Sequence, residues 1–196
     1  MDISTPLVSV IIVYWNGEKF IDRCLEALFA QTFQDFEVIL VDNGSSHNLL
    51  DNLQTRWNRI KVVRLEKNIG FAAANNIAAK IANGKWLALL NSDAFPEPNW
   101  LSALLEASDK YPELFFFTSC QIQANAPYKL DGTGDEYNIG GIAWRRQSEE
   151  HVETAVQIVD EVFSACAAAA LYPKDIFLAS GGFDESFFSS DLTVWC

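Results

Sequence analysis

Asp93 is the carboxylate around which the chemistry of this 196-residue chain can be organised. It follows the apolar run Trp86-Leu-Ala-Leu-Leu90, which halts at Asn91-Ser92-Asp93, and Pro96 and Pro98 then prevent a strand from continuing. Open α/β sheets bind ligands outside the carboxyl ends of their strands, so an Asp at such an end can meet a substrate or a divalent cation. The same stretch reads equally as a polar strand-to-helix turn with Asp93 as a local cap. Companions stand at the ends of three other apolar runs: Tyr14-Trp15-Asn16, Asp42-Asn43, and Asn68 with Gly70. Together they offer an aromatic face, amide and carboxylate acceptors for a base or ribose, and a carboxylate for a metal, which are the needs of a nucleotide diphosphate. The chain has neither Gly-x-Gly-x-x-Gly nor Gly-Lys-Ser/Thr, which removes the usual dinucleotide and P-loop readings and leaves phosphate neutralisation to a metal at Asp93.

The elements that must position these groups follow from periodicity. Leu7 to Tyr14 is a β-branched run with no helical face, and it reads as a strand apolar on both sides. From Glu18, Phe20, Ile21, Cys24, Leu25, Leu28 and Phe29 recur at helical spacing. Phe36 to Asp42 is a second strand, a weaker helix runs to about Trp57, and Ile60 to Leu65 is a third strand. The alanine-rich stretch Ala72 to Ala82 is a strong helix former, Trp86 to Leu90 a fourth strand, and Glu97 to Tyr111 a helix. This alternation predicts an α/β fold with a mostly parallel sheet and helices on both faces.

Past Pro112 the rhythm changes. Leu114 to Cys120 reads as a strand, Gln121 to Glu150 as loops and short strands, and a further strand is expected from about Val162 to Leu171, followed by a short helix from Pro173. One domain in two halves is expected, over about 1–111 and about 112–196, which the resemblance given below makes a nucleotide-binding half and an acceptor-side half.

Composition narrows the partners. A formal charge of −12 repels polyphosphate backbones and anionic bilayers, so nucleic acid is not an expected partner. Cys24, Cys120, Cys166 and Cys196 form no Cys-x-x-Cys or Cys/His cluster, and reduced, mostly buried thiols are expected. His47 and His151 lack neighbouring metal-binding patterns and read as surface residues. The N-terminus lacks a basic n-region and no apolar run is long enough to span a bilayer, so a cytoplasmic protein is expected, with peripheral contact at the inner face of a membrane left open.

Five segments then carry a resemblance: Val8-Ser-Val-Ile-Ile-Val-Tyr-Trp-Asn16, Gln31-Thr32 leading into Phe36-Glu-Val-Ile-Leu-Val-Asp-Asn-Gly-Ser-Ser46, Asn68-Ile-Gly-Phe-Ala-Ala-Ala-Asn-Asn76, Leu89-Leu-Asn-Ser-Asp-Ala94 and Gly181-Gly-Phe-Asp-Glu185. In this order they resemble the successive motifs of glycosyltransferase family 2, with rhamnosyltransferase-like members nearest in pattern. The resemblance implies a GT-A fold, a nucleotide-diphosphate sugar donor, a glycan or lipid-linked acceptor, and inverting transfer assisted by Mg²⁺ or Mn²⁺. Carried over by position, Tyr14, Asn16 and Asp42 hold the nucleoside, Asn68, Gly70 and Asn75 shape its pocket, Asp93 binds the metal, and Asp184 and Glu185 lie on the acceptor side. The family's Asp-x-Asp-type motif is here Ser92-Asp93-Ala94, a single acid. The general base usually lies in a Glu-Asp pair beyond the Gly-Gly-Phe-Asp-Glu segment, where Asp191 is the only carboxylate left before Cys196. The expectation is therefore either a truncated glycosyltransferase or a short module that binds a nucleotide sugar without transferring it.

Overall fold

The computed structural model describes residues 5–46, 50–140, 142–154 and 160–186, with the backbone alone at 50–52. The first half alternates strand and helix: β1 (Val8–Tyr14), α1 (Glu18–Phe29), β2 (Phe36–Asp42), α2 (Leu50–Arg56), β3 (Ile60–Arg64), α3 (Phe71–Ile81), β4 (Trp86–Leu90) and α4 (Trp100–Lys110). After α4 come β5 (Phe117–Thr118), β6 (Gln121–Ile122), β7 (Leu130–Gly132), β8 (Asp135–Tyr137) and β9 (Ala143–Arg145), then β10 (Ala169–Pro173) and α5 (Lys174–Ala179).

Six strands form the central sheet in the order β3-β2-β1-β4-β10-β5. β1 lies in the middle and pairs in parallel with both β2 and β4, in registers that set Tyr14 against Asp42 and Ile11 against Leu89. Every residue of β1 but Val13 is buried, as expected of a strand covered on both faces. Residues of α1, α2 and α4 close one face around Val10, Ile12 and Leu40. On the other face, Ala72, Ala74, Ala78 and Ala79 of α3 pack on Ile11, Ile39 and Leu89, with Phe177 of α5 beside them. The small side chains let α3 approach the sheet closely.

The second half departs from the expected layout in one instructive place. The strand expected from about Val162 begins only at Ala169 and continues through Pro173. It inserts antiparallel between β4 and β5, with Leu171 facing Ala88 and Phe117. Val162 and Phe163 lack ladder partners there and instead approach the β8 segment, through Phe163 N–H to the Asp135 carbonyl. Pro173 closes the strand, where its missing N–H costs no ladder bond. The strand expected over Leu114 to Cys120 shrinks to Phe117–Thr118, the two residues in register with β10, with a last bond from the Ser119 N–H to the Ala169 carbonyl (3.1 Å). Gln121 to Glu150 does form loops and short strands, as two separate hairpin pairs. Cys24 and Cys166 are buried, Cys120 and His151 are exposed, and Cys196 and His47 lie outside the described residues. Among the described residues no helix is long and apolar enough to cross a membrane.

At the far edge of the sheet a polar cluster locks β1, β2 and the turn before β4. Ser9 Oγ donates to Glu37 Oε1 (2.6 Å) and accepts from the Gly84 N–H (2.8 Å), while Asn83 donates its N–H and Nδ2 to the same carboxylate (2.6 and 3.1 Å). A Cβ on Gly84 would stand 2.5 Å from the Ser9 nitrogen, so only glycine allows this approach. Burial pushes the Glu37 carboxyl up, but the hydrogen bonds from Ser9 and Asn83 and the charge of Lys61 outweigh it and hold it below the ordinary value. A depressed carboxylate contributes stability that is complete above its unfolded value, about 4.3, and is lost as pH falls through the lowered folded value. Glu37→Ala is therefore expected to lower stability at pH 7 by about 1 kcal/mol, a gap that narrows in thermal melts taken from pH 5 towards pH 2. A gap that stays constant across that range would place the effect in packing instead.

Candidate functional site

Because β1, β2, β3 and β4 run in parallel, their carboxyl ends and the loops that follow them share one edge of the sheet. Connections leave β1 towards β2 and β3, whereas β4 lies on the opposite side of β1. The crevice outside β1 and β4 is thus the switch point at which open α/β sheets take ligands. Tyr14-Trp15-Asn16 and Asn91-Ser92-Asp93 border it.

The residues expected to hold a nucleoside are tied to one another. Asn43 is the hub. Its N–H donates to the Tyr14 carbonyl (2.8 Å), its Nδ2 to Asn68 Oδ1 (3.0 Å) and the Gly70 carbonyl (3.2 Å), and its Oδ1 accepts from the Ile69 N–H (3.0 Å). Asn68 Oδ1 also accepts from the Gly70 N–H (2.9 Å). Asn16, in the left-handed region at φ 50°, accepts from the Ser46 N–H and hydroxyl through Oδ1 (3.0 and 3.1 Å). That conformation is one Asn tolerates better than most residues. Asp42 is nearly buried and accepts the Ser45 N–H (2.9 Å), closing the turn at Gly44. Gly44 has φ 76°, and a Cβ there would lie 2.3 Å from the Lys67 backbone. Gly70 (φ 90°) begins α3. Asn75 is buried and donates to the Phe71 carbonyl in its own helix (2.9 Å).

Tyr14, the aromatic expected to hold the nucleoside, turns inward, and Trp15 turns outward. Tyr14 is fully buried, its ring against Gly17. Burial, reinforced by the Glu18 and Asp42 carboxylates, pushes its phenol up to about 12. It offers no open aromatic face. Trp15, 57% exposed, presents its indole at the edge instead. Adjacent residues at a strand end point to opposite faces, and α1 covers the one to which Tyr14 turns.

Asp93 is exposed in the turn closed by Ala94 N–H to the Asn91 carbonyl (3.1 Å). Three contacts fix that turn. The Asn91 N–H donates to the Ala168 carbonyl (2.9 Å), the Cys24 thiol donates to the Asn91 carbonyl (3.6 Å), and the Arg23 guanidinium stacks 3.9 Å from the Phe95 ring centroid. Burial and the Asp93 charge push the Cys24 thiol up to about 12, so it stays a neutral donor. Gln31 completes the support: its Oε1 accepts from the Leu101 N–H (3.0 Å) and its Nε2 donates to the Glu97 carbonyl (2.7 Å), capping α4, whose own Asn99 makes no side-chain cap. Asp93 stands as a single acid: among the described residues no group of three or more His, Cys, Asp or Glu is placed to hold a metal ion.

A cavity of about 1570 Å³ opens beside Asp93, between α4, the Phe115–Gln123 stretch, Arg145 and Phe163. Of the strand-end residues named above, Asn91 and Asp93 line it, and Tyr14, Asn16, Asp42, Asn68, Gly70 and Asn75 do not. Asp93 thus borders both the strand-end frame and the cavity. Asp184 and Glu185 lie apart from this cavity, in the segment that packs on α3 through Phe183 and Phe71. Asp191 lies outside the described residues. The hub Asn43, the cap Gln31 and the exposed Trp15 were all visible as letters, but nothing in their spacing announces these partners.

Comparison with known proteins bears on this arrangement. The model of the family described as glycosyl transferase family 2 matches residues 9–178. A chondroitin synthase of Escherichia coli is 37% identical over 183 residues, covering 92% of this chain and 24% of that protein. Among solved structures, residues 1–349 of S. aureus TarS in complex with UDP-GlcNAc superpose with a TM-score of 0.65 at 21% identity, over 90% of this chain and 48% of that one. GalNAc-T7 with UDP, GalNAc and Mn²⁺ gives 0.74 at 19% identity, over 94% and 38%. The chain therefore spans a quarter to a half of the length of these proteins.

Replacing the hub tests the frame. Asn43→Ala leaves the Ile69 N–H without its acceptor and takes one of two donors from Asn68 Oδ1 and from the Gly70 carbonyl, and is expected to cost about 2–3 kcal/mol in urea unfolding. Ser46→Ala, which removes one exposed hydroxyl contact, is expected to cost under about 0.5 kcal/mol. Equal losses would show that Asn43 does not hold the two loops.

Proposed function

This chain belongs to glycosyl transferase family 2, and from that premise we propose that it carries the donor-binding part of an enzyme that moves a sugar from a nucleotide-diphosphate donor to an acceptor hydroxyl. The observation that carries the reading is the pairing of an exposed aromatic, Trp15, with an exposed carboxylate, Asp93, across the β1/β4 switch point. One suits a nucleobase face and the other the diphosphate end of the same ligand.

In this reading Trp15 stacks on the base and Asp42 accepts from base or ribose. Asn16, Asn68, Gly70 and Asn75 shape the pocket through the hydrogen bonds that hold its walls, and Tyr14 supports it from beneath. Bonds already made within the frame need no rearrangement when ligand arrives, which favours binding by avoiding an ordering cost. UDP-GlcNAc, UDP and Mn²⁺ in the similarly folded proteins support the choice of ligand class. No particular sugar, rhamnose included, follows from the residues.

A lone exposed Asp fits Mg²⁺ or Mn²⁺ delivered with the diphosphate, because such ions are commonly held by one or two carboxylates plus substrate phosphates. When bound, the ion supplies Lewis-acid stabilisation of the departing diphosphate. The chain's own contribution is to keep Asp93 still, through Cys24, Ala168 and the Arg23–Phe95 stack. The acceptor, a glycan or lipid-linked sugar, meets the donor on the side of Asp184 and Glu185, and Asp191 is the candidate base for an inverting attack. A protein that lies in the cytoplasm, in peripheral contact with the membrane, suits such an acceptor. A second reading, a module that binds the donor without transferring it, shares the donor site and differs only in turnover.

Calorimetric titration with UDP, GDP and dTDP, each with and without Mn²⁺, tests the assignment. At least one nucleotide is expected to bind. Trp15→Ala is expected to weaken it about tenfold with or without metal, about the worth of one base stack. Asp93→Ala is expected to weaken it about tenfold only when Mn²⁺ is present. No binding to any of the three nucleotides by the unmodified protein would overturn both readings, and a metal-independent loss on Asp93→Ala would make that residue structural.

A further inference from the structure

α3 begins at the Gly70 wall of the donor frame and, one and a half turns on, buries an asparagine that the donor site does not use. Asn76 is 4% exposed and faces the Gly181–Glu185 segment, 107 residues later in the chain. Its Oδ1 accepts the Phe183 N–H (2.9 Å), and its Nδ2 donates to the Phe183 carbonyl (2.9 Å) and to Glu185 Oε1 (3.0 Å). The amide thus pairs with the Phe183 peptide group as a neighbouring strand would, and spends its remaining donor hydrogen on one carboxylate.

The segment is shaped for this partner. Gly181 and Gly182 both sit at positive φ (91° and 79°), where side chains are strained. A Cβ on Gly182 would lie 2.4 Å from Asn76 Oδ1, so glycine is required there for space as well as for conformation. Phe183 drives the same junction from the apolar side, with its ring 5.0 Å from Phe177, 6.0 Å from Tyr172 and 6.3 Å from Phe71. Apolar packing alone would hold Phe183. It does not account for a buried amide aimed at the Glu185 carboxylate, in a helix whose other sheet-facing residues are mostly alanine.

We infer that Asn76 is a positioning residue: it fixes the Phe183 peptide group and the Glu185 carboxylate on the helix that starts at the donor pocket, so that the acceptor-side segment takes its place from the donor side. The inference rests on the transferase reading for its consequence but not for its geometry. Loss of Asn76 then leaves nucleotide affinity intact and displaces the segment that carries Asp184 and Glu185 and leads the chain on towards Asp191.

The test uses Asn76→Ala, Asn76→Asp, Glu185→Gln and the double variant Asn76→Asp/Glu185→Gln of the full chain. Hydrogen exchange of peptides spanning 181–186 reads the geometry. At least tenfold faster exchange is expected in Asn76→Ala, with peptides from β1 and β4 unchanged. Asn76→Asp sets two carboxylates at hydrogen-bond distance and is expected to exchange faster still. Adding Glu185→Gln returns a donor to that pair, though not to the Phe183 carbonyl, and the double variant is expected to exchange at least threefold more slowly than Asn76→Asp while staying faster than Glu185→Gln alone. A purely packing role would not produce that charge-dependent rescue. Where the unmodified protein binds UDP, GDP or dTDP, Asn76→Ala is expected to keep the dissociation constant within twofold. Where it also releases UDP from UDP-GlcNAc, kcat is expected to fall at least tenfold at unchanged donor KM. Unchanged exchange in Asn76→Ala, absent rescue, or nucleotide affinity lost in step with kcat overturns the inference. Failure of the unmodified protein to bind any nucleotide would instead overturn the transferase reading and leave the exchange result to decide the role of Asn76.

Discussion

The parallel pairing of β1 with both β2 and β4 is the constraint on which the rest of the structure depends. Parallel strands put like ends together, so a single choice of pairing carries Trp15, Asp42 and Asp93 to one edge although 78 positions separate the first from the last. Parallel pairing also demands crossovers, and those crossovers are α1 and α3, which cover opposite faces. The switch-point crevice is a by-product of the same geometry. It exists because β4 returns to the side of β1 that β2 does not occupy.

Loops at such an edge carry backbone groups that no ladder satisfies, and the chain answers with amide side chains. Asn43, Asn16 and Gln31 each accept from or donate to backbone atoms of a loop distant in sequence, and Asn68 closes its own loop while accepting from Asn43. The division is chemical: amides pair with peptide groups on equal terms and become scaffold, while the Trp15 indole and the Asp93 carboxylate stand exposed at the edge. Members of the GT-A fold share the architecture, and this chain's own side chains hold the frame.

Much of this was legible in the residues. The boundaries of β2 and β4 fall where the apolar runs end, and α1 lies within the stretch whose periodicity marked it. These are local signals, since burial on one or two faces imposes a period on the chain whatever its partner. Motif order reached further, because five segments in succession identified the family whose model spans residues 9–178. The strand at β10 was misjudged by seven residues for a physical reason. Its bounds are set by where β4 and β5 offer free edges, and Val162 to Ala168 is no less strand-like in composition than Ala169 to Pro173.

By itself, then, the sequence determined the alternation of strands and helices, the turn chemistry at each strand end and the family. Only the tertiary structure decided which of two adjacent aromatics turns inward, that Asn43 rather than Asp42 is the hub, and that Asn76 grips a segment 107 residues away. Period and turn residues act within a few positions and are written in neighbours. Which face of a strand end is covered, and which distant peptide group a buried amide finds, depend on elements that meet only after the sheet has closed around β1.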